Sequence, residues 1–322
     1  TDSNQTAANP GGVPIYKNGD VAGAIGVVGS SPEVSEFAGF SASAATLPSF
    51  PAPGAVVING ITVPFVVQTT IPAGFLPEPN FTGSYVVGPV ASPGPTPEGY
   101  LITPQAGAVG GLSAAEVTSI VTNAINTANL TRAVIRLPIG QRTKMVISVA
   151  DLDGTLLALY RMPDATVFSV DVSVAKARNM TYFNSSQLNP ADLPGVPVGT
   201  SVTNRTIGFG AQPLYPPGID GSQNGPFFQL FVNDVNHPCT QGSQPPGANQ
   251  SGIVFFPGSL GLYRNGTLVG GLGVSGDGVD QDDYVTAGGA SGYEAPDSIH
   301  ADQIIDEGVR LPYLKFPRNP TD

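Results

Sequence analysis

Apolar residues recur at helical spacing directly behind a capping signal near residue 113. Ser113 and Glu116 have the spacing of a capping box, and Leu112 with Val117 has that of a hydrophobic staple. The apolar positions that share one helical face are Val117, Ile120, Val121, Ala124, Ile125 and Ala128. The pattern therefore predicts an amphipathic helix that opens a folded domain.

Strand and helix patterns alternate behind this helix. "KMVISVAD" is typical of a buried strand and "GTLLALYRM" of its hairpin partner, with a turn from Asp151 to Gly154. "TVFSVDVSVAKARNMTYF" predicts a helix with Val167, Val170, Val174 and Ala177 on one stripe. A long segment rich in Pro and Gly, 183–251, precedes three further strand-like runs and an acidic helix start, "DGVDQDDYVTAGGA".

The chain contains an internal repeat of unusual extent. "YKNGDVAGAIGVVG" at 16–29 returns as "YRNGTLVGGLGVSG" at 263–276, with seven of fourteen positions identical. "GITVPFV" at Gly60 matches "GVRLPYL" at Gly308 after a shift of one residue. The N-terminal zone has no copy of the capped helix, the "VAD" strand or the "AKA" helix. The repeat thus covers only the second half of a domain.

We therefore predict three zones. Residues 1–66 are the C-terminal half of a first domain, 67–111 are a connector rich in Pro and Gly, and 112–322 are a complete domain with a loop insertion at 183–251. A half-domain exposes a sheet edge and an apolar face that need a partner. An N-terminal fragment of the same precursor, separated by proteolysis but still bound, and a second protomer are both candidates. A sequence cut at position 1 is a third explanation.

Charge and hydropathy exclude two classes of partner. The net charge is −11, with thirteen Lys and Arg residues and no basic run, so nucleic acid is disfavoured. No apolar run is long enough to cross a bilayer. The 41 glycines and 32 prolines indicate many turns rather than a helical architecture.

Cysteine and asparagine usage favour an extracellular or periplasmic protein. Cys239 is unpaired within the chain, so we expect any disulfide that it forms to be interchain. Asn4 begins a series of eight Asn-x-Ser/Thr sequons. The others are Asn80, Asn129, Asn179, Asn184, Asn204, Asn249 and Asn265, which are candidate glycosylation sites of a secreted oligomer.

Motifs for nucleotide, calcium or zinc binding are weak. "GLGVSG" at Gly271 to Gly276 lacks the βαβ context of a dinucleotide site, and its glycines suit the close approach of a backbone or a planar ligand. "DGVDQDD" has the charge of a calcium loop without its ligand order. His237 and His300 are weak candidates for a metal ligand, because two His and one Cys make no persuasive zinc site.

Two cations stand out because the chain has so few. Arg161 ends a predicted strand, and Lys176 lies on the inner stretch of a predicted helix. Each either pairs with Asp151, Asp153 or Asp164 to hold the fold, or binds a ligand.

At these residues the chain resembles the GlcG/HbpS-like haem-binding (haem-degrading) domain family. The matching runs are "LSAAEVTSIVTNAINTA", "ISVADLDGTLLALYRMPDATVFSVDVSVAKA" and "LGLYRNGTLVGGLGVSGDGVDQDDYVTAGG". The hallmark positions are Asp151 and Gly154, Arg161 and Ala165, Lys176 and Ala177, Asn265 and Gly266, and Gly273 to Gly276. No His lies within these motifs, so an iron ligand would come from a loop, a Met, a Tyr or a neighbouring chain.

The resemblance implies a profilin-like α/β (α+β) fold, with an antiparallel five-stranded sheet flanked by helices. It also implies oligomerisation and, in some members, binding of haem or a related tetrapyrrole. The ligand-binding residues that we predict are Arg161, Lys176, Asp151, Asp164, Gly273, Ser275 and Gly276.

Three functions follow in order. The first is a secreted protein that binds haem or another planar anionic cofactor. The second is a structural or scaffolding subunit of an extracellular assembly with no cofactor. Oxidative haem breakdown comes third, because no catalytic constellation is visible, and whether the protein is an enzyme stays open.

Overall fold

The computed structural model describes residues 11–27, 32–43, 56–58, 61–63, 71–72, 97–237 and 240–322. By its internal contacts the chain divides into two compact units, Thr1–Val90 and Ala91–Asp322. Across the described ranges, no helix is both long and apolar enough to span a lipid bilayer.

The described part of the first unit contains two hairpins and one helix. The elements are β1 (Gly12–Lys17), β2 (Asp20–Gly26), α1 (Pro32–Ser43), β3 (Val56–Ile58) and β4 (Ile61–Val63), with β1 antiparallel to β2 and β3 antiparallel to β4. Asn18 and Gly19 connect β1 to β2 with φ values of 56° and 91°. The two-residue turn of a hairpin requires such positive φ values, which Asn and Gly tolerate best.

The second unit contains a five-stranded antiparallel sheet with the order β5-β7-β6-β9-β8. Its strands are β5 (Gly99–Ile102), β6 (Val146–Ala150), β7 (Leu156–Arg161), β8 (Ser259–Arg264) and β9 (Thr267–Ser275), and β10 (Ile305–Asp306) and β11 (Val309–Arg310) form a separate hairpin. Its helices are α2 (Ala114–Leu130), α3 (Ser169–Phe183), α4 (Asn204–Gly210), α5 (Phe228–Asn236) and α6 (Val279–Gly289). The predicted sheet with flanking helices is confirmed, whereas the second, incomplete copy stays a prediction.

Alternation along β9 assigns the helices to the two faces of the sheet. Gly271 and Gly273 face α3, since a Cβ there would lie 2.2 Å from Ala177 O and 2.1 Å from Ser173 O, respectively. Leu272 lies between them and packs against α6. Because successive side chains of a strand point to opposite faces, α3 covers one face, and α6 with its neighbour α2 covers the other.

Helix α2 begins at the predicted capping box. The Ser113 Oγ accepts a hydrogen bond of 3.3 Å from the Glu116 amide, and the Glu116 carboxylate accepts one of 2.8 Å from the Ser113 amide. These bonds satisfy two amides at the helix N-terminus. The bonds that the Glu116 carboxylate accepts from the amide and the hydroxyl of Ser113 lower the pKa of Glu116 to about 2. Leu112 and Val117, the predicted staple, are both fully buried.

The structure modifies two of the predicted boundaries. The connector predicted at 67–111 ends inside the sheet, because β5 pairs with β7 through Tyr100 and Tyr160. The insertion at 183–251 is not a plain loop, since it contains α4 and α5. Its buried side chains join the main core: Leu188, Leu193, Val196, Val202, Ile207, Phe227 and Leu230. The remaining domain divisions stay predictions.

The predicted stripe of α3 is only partly buried. Val167 precedes the helix and is 54% exposed, Val170 and Val174 are half-buried against the core, and Ala177 is fully buried together with Ser173. The reason is the glycine-rich strand beneath, which brings the α3 backbone so close that only small side chains fit between them.

Candidate functional site

Lys176 on α3 forms a buried ion pair with Asp282 on α6. Its Nζ lies 3.0 Å from Asp282 Oδ2 and donates a hydrogen bond of 2.7 Å to the Val274 carbonyl. The ring of Phe256 covers Nζ, with the centroid 5.1 Å away. Burial lowers the pKa of Lys176 and raises the pKa of Asp282, and the close pairing opposes both shifts. Lys176 therefore pairs with none of the three predicted acids, and it has no exposed surface for a ligand.

Asp283 extends this pair into a cluster. Its Oδ2 accepts a hydrogen bond of 2.6 Å from Arg205 Nε on α4, and its Oδ1 accepts one of 2.9 Å from the Gly258 amide. Arg205 Nη2 also lies 2.7 Å from Asp280 Oδ1. Burial raises the pKa of Asp283 to about 6, against the opposing effect of Arg205. Five residues form what we call the charged cluster: Lys176, Arg205, Asp280, Asp282 and Asp283.

An exposed apolar surface lies beside the charged cluster. Its apolar members, each between 44% and 62% exposed, are Val134, Ile135, Val167, Phe168 and Val279. The guanidinium carbon of Arg136 lies 5.1 Å from the centroid of the Phe168 ring. Arg136 is hydrogen-bonded to Asp277, whose amide donates a hydrogen bond of 3.4 Å to Asp282 Oδ1, so this surface lies next to the charged cluster. We call Arg136 and the five apolar residues the Arg136 surface.

Asp277, just before α6, holds the loop that carries Arg136. Its Oδ2 accepts a hydrogen bond of 2.6 Å from the Val134 amide, and its Oδ1 accepts bonds of 3.2 Å and 3.0 Å from Ile135 and Arg136. Arg136 Nη1 in turn donates to the Asp277 carbonyl at 2.5 Å. Its Nε and Nη2 donate no hydrogen bond to any described residue. The guanidinium is thus held in place while it keeps donors for an anion.

Sequence reasoning missed the Arg136 surface. Arg136 lies in an irregular loop, and Phe168 follows it by 32 positions, so no local pattern joins them. The scarcity of Lys and Arg was a signal that could have drawn attention to Arg136, as it did to Arg161.

Arg161 closes a turn at the end of β7. Its Nε donates to the Ala165 carbonyl at 2.9 Å, and its Nη1 lies 3.3 Å from the Pro97 carbonyl. The acid beside it is Glu98, at 3.6 Å, rather than one of the predicted aspartates. With its side chain 7% exposed, Arg161 binds the chain's own backbone, which corrects the predicted role as a ligand contact.

The predicted acids Asp151 and Asp164 lie in opposite environments. Asp151 is 1% exposed, and its carboxylate accepts hydrogen bonds of 2.9 Å and 2.6 Å from the amides of Val109 and Gly110. Asp164 is exposed in the turn after β7, with a φ of 62°. Neither carboxylate contacts the charged cluster, so the structure removes both from the candidate site.

The glycines at the end of β9 approach protein backbone rather than an open face. A Cβ on Gly276 would lie 2.1 Å from Lys144 O, as one on Gly273 would meet α3. Ser275 is buried and donates a hydrogen bond of 3.1 Å to a serine at the start of α3. Close packing against α3 at Gly273, and against the chain just before β6 at Gly276, therefore favours the backbone alternative over contact with a planar ligand.

The predicted metal ligands are dispersed. His237 is exposed after α5, and the His300 ring stacks on Tyr313 with centroids 4.0 Å apart. In the part of the chain that the structure describes, no three His, Cys, Asp or Glu side chains are placed to hold a metal ion. Cys239, the predicted interchain cysteine, falls outside the described residues.

Three of the predicted glycosylation sites are buried. Asn179, Asn184 and Asn204 are at most 4% exposed. Asn179 Nδ2, the atom that would carry a glycan, donates hydrogen bonds of 2.6 Å to Gln241 and 2.8 Å to the Gly252 carbonyl. The folded structure contradicts glycosylation there, because these amides tie α3 to the 183–251 segment.

The other sequons differ in exposure. Asn129 and Asn265 are exposed, and Asn249 is half-buried. Asn80 and Asn4 lie outside the described residues.

A separate polar cleft lies between the Asp153–Gly154 turn and the segment 241–250. Its volume is about 190 Å³, and its walls are rich in amide side chains such as Gln241, Gln244 and Asn249. Sites for larger organic ligands usually enclose about 300–1,000 Å³. The cleft is therefore too small for a tetrapyrrole.

Comparison with known proteins identifies a family. The family model described as "Haem degrading protein HbpS-like" matches residues 123–291, more than half of the chain. The curated "Corrinoid adenosyltransferase PduO" of Citrobacter freundii is 27% identical over 155 residues, and that of Salmonella typhimurium is 26% identical over 153 residues. These matches cover 48% of this chain and 33% of each relative, so the chain spans about a third of the length of these curated relatives.

Three solved structures are similar over 56% of the chain. "Crystal Structure of PduOC:Heme Complex" is 22% identical, with 93% of that chain covered and a TM-score of 0.36. Klebsiella pneumoniae protein ORFY is 19% identical, with 90% covered and a TM-score of 0.37. "Crystal Structure of HbpS" is 16% identical, with 88% covered and a TM-score of 0.35.

Proposed function

We propose that this chain, which belongs to the HbpS-like family of haem-degrading proteins, binds haem or a related planar anionic tetrapyrrole at the Arg136 surface. One observation carries the proposal: the guanidinium carbon of Arg136 lies 5.1 Å from the centroid of the exposed Phe168 ring. A tetrapyrrole combines a wide apolar face with carboxylates at one edge. An aromatic platform beside an arginine with unoccupied donors suits both parts of such a ligand.

The apolar members of the surface supply the driving force. Ile135, Phe168 and Val279 are 62%, 53% and 44% exposed, and a flat ring laid across them would remove this area from water. Each 100 Å² of apolar surface covered contributes about 2.5 kcal/mol. The charged cluster contacts no ligand in this proposal; it fixes the start of α6, where Val279 lies.

The residues fit the ring and its carboxylates but offer no iron ligand. None of the six members of the Arg136 surface is a His, Cys, Met or Tyr. Affinity would therefore come from stacking and from charge-assisted hydrogen bonds to Arg136. A metal-free porphyrin is then expected to bind about as tightly as haemin.

The test is a pair of titrations of the purified chain. Metal-free protoporphyrin IX is followed by its fluorescence and haemin by its Soret band, for the wild type, Arg136→Ala and Phe168→Ala. We expect each substitution to weaken binding of both ligands about tenfold or more, since a charged hydrogen bond to Arg136 and the burial of the Phe168 ring are each worth about 1.5–3 kcal/mol. Arg264→Ala is the control, because Arg264 is also positively charged. It lies beside the β8–β9 turn, at the opposite end of the hairpin from Ser275 and from Asp277, which holds the Arg136 loop.

Two results would overturn the proposal. One is binding of both ligands that is unchanged in Arg136→Ala and Phe168→Ala. The other is binding of haemin alone, which would place an iron ligand elsewhere in the chain.

A structural subunit without a cofactor is the second candidate function. It is favoured by strand β2, of which six of seven residues are exposed. A chain that assembles but takes up neither porphyrin would support this candidate. In both cases we propose an extracellular or periplasmic location, which the exposed sequons at Asn129 and Asn265 support.

A further inference from the structure

The β1–β2 hairpin of the first unit has the same strand register as the β8–β9 hairpin of the second. Residue pairs of one become those of the other when 247 is added to each number. The single shift in register falls at the same step, between Ile15 and Tyr16 in one hairpin and between Leu262 and Tyr263 in the other.

The backbone hydrogen bonds and φ values at the open ends of the two hairpins also agree. The Val27 amide donates to the Gly11 carbonyl at 2.9 Å, as the Val274 amide donates to the Gly258 carbonyl at 2.8 Å. Gly11 and Gly258 have φ values of 122° and 114°, which only glycine adopts readily. The two hairpins are therefore equivalent in their backbone geometry.

Their surroundings differ. In the second unit β9 pairs with β6 on its second edge and is covered by α3, so seven of its nine residues are buried. In the first unit, β1 is the only described strand that pairs with β2. Val21 of β2 is 65% exposed, Ala24 is exposed, and a Cβ on Gly26, the counterpart of Gly273, would meet no atom within 4 Å. One edge and one face of β2 are thus open where β9 is covered.

We infer that β2 binds a separate polypeptide that supplies an antiparallel strand along its open edge and a helix across its glycine face. The inference goes beyond the proposed ligand site, and it does not depend on it. The equivalent hairpin specifies the chemistry of the partner. Its strand is mainly apolar on both faces, because all five residues of β6 are buried and only Ser148 among them is polar. Its helix presents small side chains, as α3 does with Ser173 and Ala177.

One position distinguishes this partner from a copy of α3. Ala24 stands where the second unit has Gly271, and a Cβ on Gly271 would lie 2.2 Å from Ala177 O. The partner's helix must therefore lie further from β2 at Ala24 than α3 lies from β9. Replacing Ala24 by glycine would therefore allow a helix with the sequence of α3 to act as the partner's helix.

The experiment is hydrogen exchange on the full chain, with a synthetic peptide of residues 144–185 as the probe for β6, β7 and α3. Without peptide, the outward amides of β2 should exchange quickly, whereas those of β9 should be protected. In Ala24→Gly, saturating peptide should slow exchange over residues 20–27 about tenfold, and in the wild type it should slow it less. Exchange in β9 is the internal control and should not change.

Ala24→Pro is the matched negative variant. Since the Val27 amide points to β1, alternation directs the Ala24 amide away from β1, so proline leaves the hairpin bonds intact but blocks strand addition. It should abolish the peptide's effect, while β1 exchanges as in the wild type.

Two outcomes would overturn the inference. The first is no slowing over residues 20–27 in Ala24→Gly at saturating peptide. The second is protection of β2 that rises with protein concentration in the absence of peptide, since a second copy of the chain would then be the partner. Porphyrin titrations of the same variants report on the Arg136 surface separately, so either proposal can fail alone.

Discussion

Lys176 Nζ lies 3.0 Å from Asp282 Oδ2, and the two side chains are 0% and 4% exposed. The pair joins α3, on one face of the sheet, to the start of α6. Two charges removed from water are stable together only when each satisfies the other, and the Val274 carbonyl provides an additional partner for the lysine. Removing one member leaves the other buried and unpaired.

We therefore expect Lys176→Met to destabilise the second unit by about 3–5 kcal/mol, because Asp282 would be left unpaired. The double variant Lys176→Met/Asp282→Leu should recover most of this loss, since no buried charge remains. Urea unfolding of both variants and the wild type provides the measurement. A double variant no more stable than Lys176→Met would contradict the role of the pair and point to packing alone.

Asp283 should make stability depend on pH. Its pKa of about 6 lies above the ordinary value of 3.8, so the folded state binds this proton more tightly than the unfolded state. Its contribution is fully present below about pH 4 and is lost as the pH rises through about 6, a difference of about 3 kcal/mol. In Asp283→Asn this part of the pH dependence should disappear, while Arg205 keeps Asp280 as a partner.

Unfolding free energies at several pH values between 4 and 7 check this prediction. The informative quantity is the difference in slope between the wild type and Asp283→Asn. Equal slopes in the two proteins would show that Asp283 has an ordinary pKa.

Much of the fold could be predicted because it depends on local sequence patterns. The capping box of α2 and the β6–β7 hairpin each involve neighbouring residues, and both form as expected. Strand β5 and helices α4 and α5 were missed because glycine and proline around them suggest loops. Their place in the unit depends on distant partners, as when β5 pairs with β7.

The candidate site was less predictable. Lys176 was recognised as unusual, but its partner Asp282 lies 106 positions away and was interpreted as an acid of a helix N-terminus. The glycines of β9 were correctly associated with a close approach, yet the approaching group is α3 rather than a ligand. The glycine pattern indicates that another group approaches the strand closely, but it does not identify that group.

The sequons should divide by burial in material secreted by a eukaryotic host. We expect glycans at Asn265 and Asn129, which are exposed, and none at Asn179, Asn184 or Asn204, whose side chains are buried. Mass spectrometry of peptides before and after enzymatic removal of glycans locates them. A glycan on Asn179 would contradict its buried hydrogen bonds to Gln241 and Gly252.

The amide network itself should contribute to stability. Asn179→Ala removes a buried group whose Oδ1 accepts from the Val254 amide at 3.0 Å and whose Nδ2 donates to two partners. We expect a loss of about 1–3 kcal/mol, because these partners would stay buried without it. Asn129→Ala, on the exposed end of α2, is the control and should change stability by about 0.5 kcal/mol or less. Thermal unfolding distinguishes the two, and equal effects would refute the role of the network.

Gly273→Ala tests the contact on which the packing of α3 depends. The new Cβ would lie 2.1 Å from Ser173 O, closer than any Cβ can approach an oxygen, so α3 must move away from β9. We expect a loss of about 1–3 kcal/mol or more, as for other overpacked cores.

Gly247→Ala is the control within the same unit, since its Cβ would meet only one atom within 4 Å, at 3.9 Å. Gly26→Ala is the counterpart in the first unit and should be tolerated by the isolated chain, because nothing lies within 4 Å there. Hydrogen exchange in β9 measures the unfolding of the second unit, and it should be faster in Gly273→Ala than in either control. Equal protection in all three variants would show that α3 does not pack on the glycine face of β9.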